Sequence, residues 1–240
     1  MKTQKLLIAL FLNIGLFTSC DHDIIRASGE VTSLSYSVPE YSKIKVSNAF
    51  NTYVTFSDTE ESIRIEANEN VHDRVIVQRD GNSLVIRLKN ITNVKGNATL
   101  NAYITTKHIN EFDMNGASSL FLENQWNIEN GSVELSGAAD FIGEIVANQL
   151  ELDLRGASAA NIYGQIGSLH ADLSGSSDIR DYDLSVDNLN LDMTGASEAY
   201  LSVNKTIDIE ASGASELNFK GNATIARKKL SGASEIKNKN

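Results

Sequence analysis

Acidic side chains recur at fixed places around a repeated small-residue pentapeptide. Three residues before its glycine stand Asp113, Glu134, Asp153, Asp172, Asp192 and Glu210, and three residues after it stand Asp140, Asp178, Glu198, Glu216 and Glu235. Two carboxylates about 5–10 Å apart can hydrolyse a glycosidic bond. Carboxylate oxygens are also the ligands that Ca²⁺ prefers. The spacing therefore raises two chemical hypotheses, a glycosidase-type site and a ladder of cation sites, beside the simpler one of a solvated strand face.

The regularity of these acids favours the solvated face. A catalytic pair stands out from its neighbours, whereas these acids recur in nearly every repeat, as the wet side of an alternating strand requires. Arg155, close in sequence to Asp153, makes the neighbourhood of Asp153 and Asp172 the strongest catalytic candidate. The G-G-x-G-x-D pattern of calcium-binding β-rolls is absent. We therefore predict a protein that is not an enzyme, with no catalytic residues, no cofactor and no metal site.

Other catalytic signatures are missing from the sequence. The four histidines, His22, His72, His108 and His170, are scattered, without H-E-x-x-H or a second cysteine that would indicate zinc. No P-loop and no G-x-S-x-G elbow occurs. Trp126, in the segment N-Q-W-N, either stacks on a sugar or covers the core, and the core position is favoured.

The pentapeptide itself defines a repeat. Its copies read N-G-A-S-S, S-G-A-A-D, R-G-A-S-A, S-G-S-S-D, T-G-A-S-E and, twice, S-G-A-S-E. The glycines of these copies are Gly116, Gly137, Gly156, Gly175, Gly195, Gly213 and Gly232. They are 18 to 21 residues apart, so the sequence is built from units of about 19 residues.

The residues before each glycine alternate between apolar and polar. Leu150, Leu152 and Leu154 alternate with Glu151 and Asp153, and other units repeat the pattern. A period of two indicates half-buried strands, and stacking units bury the apolar sides. The prediction is an all-β fold, a right-handed parallel β-helix with about 19-residue coils that rise by about 4.8 Å each. Two other repeat folds fit less well. A left-handed hexapeptide helix needs a strict 18-residue coil, whereas these units vary in length. A leucine-rich repeat needs an Asn corner and a more helical return, whereas the segments after these corners look extended.

In a β-helix the pentapeptide forms a corner. Glycine allows the positive φ that a tight turn needs, and a small Ala lets corners stack. The serines that follow are predicted to form a hydroxyl ladder along the stack: Ser118, Ser158, Ser177, Ser197, Ser215 and Ser234. One-residue differences between units are expected to be absorbed at corners.

The two ends of the chain depart from the repeat. Alternating segments between residues 43 and 88, with an Asp80-Gly81 hairpin signal, predict a less regular β-rich N-terminal part that forms opening coils or an antiparallel cap. The basic segments 227–229 and 237–240 are predicted to end the stack and to keep its open edge from pairing with another strand. The predicted organisation is a signal peptide (1–19), a flexible tether (20–34) and a single β-helix domain (35–240).

The first residues form an export signal. Lys2 and Lys5 precede the apolar run 6–17, and Thr18-Ser19-Cys20 ends it. The ending resembles a bacterial lipobox, with Phe17 where leucine is more usual. Cys20, the single cysteine, is therefore predicted to be the lipidated N-terminus; the alternative is an incidental cysteine near the cleavage site.

Charge and the acyl anchor set the expected location and partners. Loss of Lys2 and Lys5 would change the formal charge from −10 to −12, which disfavours nucleic acid as a partner. The expected location is the cell envelope, anchored by lipid to the outer membrane rather than the inner one. Asp21 favours inner-membrane retention in some sorting systems, whereas the acidic start 21–23 resembles surface-export signals in others. The sequence predicts no oligomeric state.

Three segments resemble a known family. They are Y-S-K-I-K-V-S-N-A-F-N-T-Y-V-T-F (41–56), D-G-N-S-L-V-I (80–86) and the recurring S-G-A-S-E. Together they are similar to the auto-transporter adhesin "head GIN" domain, over roughly residues 35–236, with Ser47-Asn48 where that family often has glycine. The resemblance implies a β-helical, exported and often lipid-anchored protein. The expected function is an adhesion or glycan-contact surface; a carbohydrate-active lyase or hydrolase and a purely structural envelope component are the alternatives.

Overall fold

A computed structural model describes residues 23–89 and 92–240, so the predicted signal peptide and Cys20 lie outside the described residues. The first ten strands are β1 Asp23–Arg26, β2 Val31–Tyr36, β3 Lys43–Val46, β4 Asn51–Phe56, β5 Ser62–Asn68, β6 Val75–Asp80, β7 Ser83–Leu88, β8 Thr92–Lys95, β9 Leu100–Thr106 and β10 Glu111–Met114. The others are β11 Ser119–Leu122, β12 Trp126–Leu135, β13 Asp140–Gly156, β14 Ala159–Gly175, β15 Asp178–Arg180, β16 Leu184–Met193, β17 Glu198–Ala211, β18 Glu216–Lys220, β19 Thr224–Leu230 and β20 Glu235–Asn238. A 3₁₀ helix, Glu69–Arg74, lies between β5 and β6.

The strands stack into the predicted β-solenoid. Strands that end at a pentapeptide, and β3, which ends at Ser47-Asn48, pair in parallel in the order β3, β10, β12, β13, β14, β16, β17 and β19. We call their sheet the pre-corner wall. Strands that begin after it pair in parallel as β4, β11, β13, β14, β15, β17, β18 and β20, the post-corner wall. The long strands β13, β14 and β17 belong to both walls because the chain bends within them.

The pentapeptide glycines form the corners. All seven have φ between +71° and +85°. The amide of the residue after each glycine donates to the carbonyl of the corner below, for example Ala196 N to Gly175 O at 2.7 Å and Ala214 N to Gly195 O at 2.7 Å. Like corners therefore lie directly on one another, as the repeat predicts.

An eighth corner carries no glycine. Asn48 has φ +76°, and its carbonyl accepts the Ala117 amide at 2.8 Å, so it lies beneath Gly116 in the same stack. Its side-chain Oδ1 accepts the Leu88 amide at 2.9 Å. Asparagine tolerates the left-handed region better than most residues. The Ser47-Asn48 segment is thus the first corner of the solenoid.

Five of the six corner serines are buried and Ser234 is half-buried, but they do not form the predicted hydroxyl ladder. Ser118, for example, is fully buried, and its hydroxyl donates to the Asn115 carbonyl within its own corner at 3.0 Å. Only Ser197 and Ser215 have their hydroxyls within hydrogen-bond distance of each other, at 3.3 Å. A hydroxyl with a carbonyl three residues back has a nearer acceptor than the next coil. Ser118, Ser158, Ser197 and Ser215 therefore close their own turns. Ser177 instead donates to the Leu154 carbonyl of the preceding coil, and Ser234 donates both within its own turn and to the Ala211 carbonyl.

The differences in unit length are absorbed away from the glycine corners, contrary to expectation. Between β16 and β17 the register shifts after Val186, and between β17 and β19 it shifts after Ile207. The second shift leaves Ala226 as the extra residue. The corners stack too closely to accept an insertion, whereas these sites lie at a bend or a bulge.

The N-terminal part combines the two predicted arrangements. β3 and β4 form the first coil under β10 and β11, while β5 pairs antiparallel with β9, and β2 with β5. β6 and β7 form the Asp80-Gly81 hairpin. Of the segment 20–34, expected to be a flexible tether, residues 23–34 enter the fold, because β1 pairs with β8 and β2 with β5, and residues 20–22 lie outside the described residues. Neither partner strand can be identified from residues 20–34 alone.

The core fills the space between the walls. Inward residues of the alternating strands are buried, including the ring of Phe112, which packs edge-on against Trp126 at 4.9 Å and Phe141 at 5.3 Å. At the last coil Lys228 is aligned with Ile209, an inward position, but is exposed to solvent. The basic segment therefore ends the core.

Candidate functional site: the outer face of the pre-corner wall

The register aligns the acids that precede the corners. Paired positions of successive strands are Asp113, Glu134, Asp153, Asp172, Asp192 and Glu210. We call this set the acidic column. Since parallel strands are about 4.8 Å apart, each acid has a like charge on the next coil. The predicted stripe therefore exists.

Lysines close both ends of the acidic column. Lys45 precedes it in register, and its Nζ lies 2.7 Å from Asp113 Oδ2. Lys229 follows it and forms an ion pair with Glu210. Sequence analysis missed this arrangement, although each lysine stands three residues before a corner residue, Asn48 or Gly232. Repulsion along the column is thus relieved at its ends.

A second column runs beside the first. Its members in register order are Lys43, Glu111, Ser132, Glu151, His170, Asn190, Asp208 and Arg227. Lys43 pairs with Glu111, and Arg227 Nε lies 2.6 Å from Asp208 Oδ1. Partial burial alone would lower the pKa of Lys43, but the bond to Glu111 and the charge of Asp113 raise it above its usual value. Cationic side chains therefore lie at both ends of the second column, and its central positions hold fewer acidic side chains than those of the acidic column.

A groove of about 320 Å³ lies along the second column, between its two cationic ends. Its lining includes Gln149, Ser168, Asn188 and Thr206 on one side and Glu151, His170, Asn190 and Asp208 on the other. Cross-coil bonds hold the first side, since Thr206 Oγ1 donates to Asn188 Oδ1 at 2.8 Å and Asn188 Nδ2 to Gly167 O at 3.3 Å. The groove crosses four coils and offers both donors and acceptors, so it suits an extended polar ligand.

The strongest catalytic candidate shows the contacts of a surface network. Arg155 forms an ion pair with Asp153, and His170 Nε2 lies 3.7 Å from Asp172 Oδ2. Both side chains of the first pair are on the outer face, with Arg155 67% exposed. Among residues 23–89 and 92–240 no group of three or more His, Cys, Asp or Glu side chains is placed to hold a metal ion. The contacts of Asp153, Arg155, His170 and Asp172 are therefore those of ordinary surface side chains on the wall.

Trp126 is part of the core. Its side chain is 1% exposed, and its Nε1 donates to the Ile109 carbonyl at 2.9 Å. The hypothesis that it stacks on a sugar is wrong, and the core position is confirmed. Trp126 is also among the residues that line a polar cavity of about 320 Å³, together with Asp58, Lys107 and His108.

Four of the acids after the corners, Asp178, Glu198, Glu216 and Glu235, are aligned in register on successive strands, and the fifth, Asp140, is separated from them. Ala159 separates Asp140 from Asp178 in the register. At the end of the wall, Lys237 Nζ lies 2.7 Å from both Glu216 Oε2 and Glu235 Oε2. These acids are therefore used largely in local pairs.

An aromatic ladder lies on the outer face of the post-corner wall. Tyr53 stacks on Tyr103 at 5.0 Å and on Phe121 at 5.1 Å, and the Arg64 guanidinium lies 3.9 Å from the Tyr103 ring centre. Sequence analysis missed it because β4 and β9 are far apart in the chain. Since Tyr53 lies between two rings and Tyr103 lies between Tyr53 and the Arg64 guanidinium, neither tyrosine offers a free face to a sugar.

No described helix is long and apolar enough to cross a membrane.

Comparison with known proteins gives a family match. Residues 40–223 match the family model described as "Putative auto-transporter adhesin, head GIN domain". No curated protein matches the chain.

Solved structures share the fold. A Bacteroides fragilis protein described as a "putative adhesin" is 22% identical, with a TM-score of 0.81 over 89% of this chain and 99% of that one. A Parabacteroides distasonis "putative lipid binding protein" is 15% identical, with a TM-score of 0.74 over 90% and 99%. A second protein of that organism, a "putative adhesin", is 18% identical, with a TM-score of 0.73 over 90% and 100%. At these identities the likeness shows a common β-solenoid architecture.

Proposed function

Because the chain belongs to the family "Putative auto-transporter adhesin, head GIN domain", we propose that it is a non-catalytic contact protein of the cell envelope. In this proposal the outer face of the pre-corner wall binds an extended glycan. The family and the similar structures reported above carry adhesin or lipid-binding descriptions rather than enzyme names. These descriptions support a binding function without identifying its ligand.

The observation that carries the glycan proposal is the groove across four coils. Its two sides repeat hydrogen-bonding side chains from one coil to the next, such as Asn188 and Thr206 on one side and His170 and Asn190 on the other. Sugar hydroxyls both donate and accept, and amide, hydroxyl and imidazole groups match both roles. A polymer lying along the groove would meet a similar contact about every 4.8 Å.

The acidic column beside the groove narrows the ligand class. Asp153, Asp172 and Asp192 stand two residues after groove residues of the same strands. An anionic polymer would be repelled by these carboxylates. The ligand we propose is therefore a neutral or amino-bearing glycan.

The envelope location rests on the N-terminal sequence. Thr18-Ser19-Cys20 after the apolar run 6–17 fits a lipoprotein signal. A diacylated or triacylated Cys20 would hold the protein stably, because each buried CH₂ contributes about 0.8 kcal/mol. We propose the outer membrane as the anchoring membrane.

Glycan binding by the full mature protein in detergent tests the proposal. The groove variant is Glu151→Gln/His170→Ala/Asn190→Ala, and its matched control on the post-corner wall of the same part of the solenoid is Asn161→Ala/Tyr163→Ala. All five residues are exposed to solvent, so folding is expected to survive. The groove variant should lose about tenfold or more in affinity for the bound glycan, since each lost hydrogen bond contributes about 0.5–1.5 kcal/mol. The control should bind normally.

Product analysis separates binding from catalysis. Each bound glycan is incubated with the protein and examined by mass spectrometry. An unchanged glycan supports a contact protein, whereas cleavage that Asp172→Ala abolishes would establish the carbohydrate-active alternative. Equal binding by the groove variant and the wild type would place the contact elsewhere and overturn the groove as the site.

A further inference from the structure

The two-stranded sheet of β1 and β8 has distinct inner and outer faces. Ile25 is paired with Val94, and both pack against the core. The neighbouring pairs, Ile24 with Asn93 and Arg26 with Lys95, therefore point the other way, and these four residues are exposed. We call these four residues the β1–β8 face. Ile24 is 52% exposed, the largest value among the exposed large apolar side chains of the described residues.

The β1–β8 face places two cations opposite each other. Arg26 and Lys95 occupy one register position on neighbouring strands. The salt bridges found within residues 23–89 and 92–240 include neither of them. Like charges directly opposite each other destabilise a strand pair unless an anion lies between them. The face therefore has the composition of an anion-contacting surface with an apolar residue beside the charges.

This face belongs to one end of the molecule. Four residues, 27–30, join β1 to β2. β2 is the edge strand of a sheet. From β2 this sheet continues through β5, β9 and β4 and then along the post-corner wall to β20. Eleven strands lie along this path, so β2 and β20 are separated by about 48 Å at ordinary strand spacing. Ile225, exposed on β19, marks the far end.

The chain leaves little distance between this end and the predicted anchor. Cys20 stands three residues before Asp23, the first residue of β1. Three residues span at most about 11 Å. A lipid on Cys20 therefore keeps β1 within about 11 Å of the membrane interface.

We propose that the β1–β8 face rests on the phospholipid headgroups of the anchoring membrane, so that the solenoid stands with its β20 end outward. This proposal rests on the lipidation of Cys20 in the proposed function. Arg26 and Lys95 contact lipid phosphates, and Ile24 enters the interface. An anionic membrane surface attracts these cations and repels the acidic column along the side of the solenoid, which favours standing over lying flat.

Fluorescence quenching by a lipid-borne nitroxide tests the orientation. The full lipidated protein, with a single label on Asn93→Cys or, as the far-end control, on Ile225→Cys, is placed in phosphatidylethanolamine–phosphatidylglycerol vesicles that carry a headgroup nitroxide. The lipid occupies the Cys20 sulfur, so the introduced thiol is the one labelled. Quenching is expected at residue 93 and not at residue 225. Mass spectrometry of the N-terminal peptide reports lipidation separately.

Charge changes distinguish contact from mere proximity. Replacing phosphatidylglycerol with phosphatidylcholine, or introducing Arg26→Gln/Lys95→Gln, should reduce quenching at residue 93 by about twofold or more, because each cation loses its attraction to the surface. Lys228→Gln/Lys239→Gln at the far end should leave it unchanged. The lipid exchange needs no substitution at the face and so is independent of variant folding.

Three results would overturn the proposal. Equal quenching at residues 93 and 225 would mean that the solenoid lies flat. Quenching at residue 93 that is insensitive to both charge changes would mean that the short connection from Cys20 to β1 alone brings it near the membrane, while lipidation still holds. A Cys20 without lipid would overturn this proposal and the anchoring part of the proposed function together.

Discussion

The carbonyl oxygen of Gly175 lies 2.4 Å from the point that a Cβ on Gly195 would occupy. Real Cβ atoms do not approach a backbone oxygen this closely, so the corner below excludes any side chain from the corner above. Gly195 also has φ +85°. The recurrence of glycine in the pentapeptide thus has two physical causes, the turn of the chain and the stacking of one turn on another.

Gly195→Ala should destabilise the protein more than Gly81→Ala. Gly81 also has a positive φ, +60°, but nothing lies within 4 Å of its Cβ position. Alanine at residue 81 should cost only the backbone term of about 1–2 kcal/mol. At residue 195 the backbone of the Gly175 corner must also move, which should add about 1 kcal/mol or more. Urea denaturation of both variants measures the difference, and equal losses would contradict the stacking explanation.

Asn48→Gly should be more stable than Asn48→Ala. Both changes remove the bond from the Leu88 amide to Asn48 Oδ1, but only alanine keeps the strain of φ +76°. The expected difference in unfolding free energy is about 1 kcal/mol. Thermal or urea unfolding of the two variants checks this. An alanine variant at least as stable as the glycine variant would show that residue 48 does not need the corner conformation.

The ion pair between Lys237 and Glu216 should make the free energy of unfolding depend on pH in the acidic range. The hydrogen bond from Lys237 lowers the pKa of Glu216 below its usual value of 4.5. The unfolded state therefore binds the proton first, and the stabilisation present above about pH 4.5 is lost as the pH falls through the lower folded-state pKa. Lys237→Met should flatten this part of the stability–pH curve, whereas Lys239→Met should alter it less. Denaturation at a series of pH values measures the slope, and identical slopes for wild type and Lys237→Met would refute the linkage.

Tyr53→Ala should reveal the contribution of the aromatic ladder. The change removes the stacks on Tyr103 and Phe121, each of which contributes about 0.5–1.5 kcal/mol beyond burial. The expected loss is therefore about 1–3 kcal/mol. Tyr163→Ala, at a tyrosine that is 43% exposed, is the matched control and should stay within about 0.5 kcal/mol of wild type. A loss at residue 53 no larger than that of the control would mean that the stacks contribute little.

The regular part of the fold is predictable because its information is local. The alternation of Leu150, Leu152 and Leu154 and the spacing of the glycines determine strand, corner and register at once. The acidic column follows from the same register. The Lys45 end of the column is not predictable without recognising Asn48 as a corner, which places Lys45 at the same position as Asp113. The Lys229 end follows from the spacing to Gly232, which the sequence does display.

The irregular part depends on pairings that the sequence does not display. β4 lies between β9 and β11, and no local pattern relates Tyr53 to Tyr103. The same holds for β1, whose partner β8 follows more than sixty residues later. The strands within residues 23–34 are not predictable from that segment alone, because their partners β8 and β5 lie far along the chain.

The identical contacts between successive corners also bear on how such a gene can change. Each corner offers the next the same backbone oxygen and accepts the same amide, as Gly175 does for Ala196 and Gly195 for Ala214. Duplication or loss of one whole repeat would therefore join surfaces that already fit, leaving both ends of the solenoid untouched. The molecule would become longer or shorter in steps of about 4.8 Å. Recombination could thus adjust its reach independently of what the ends bind.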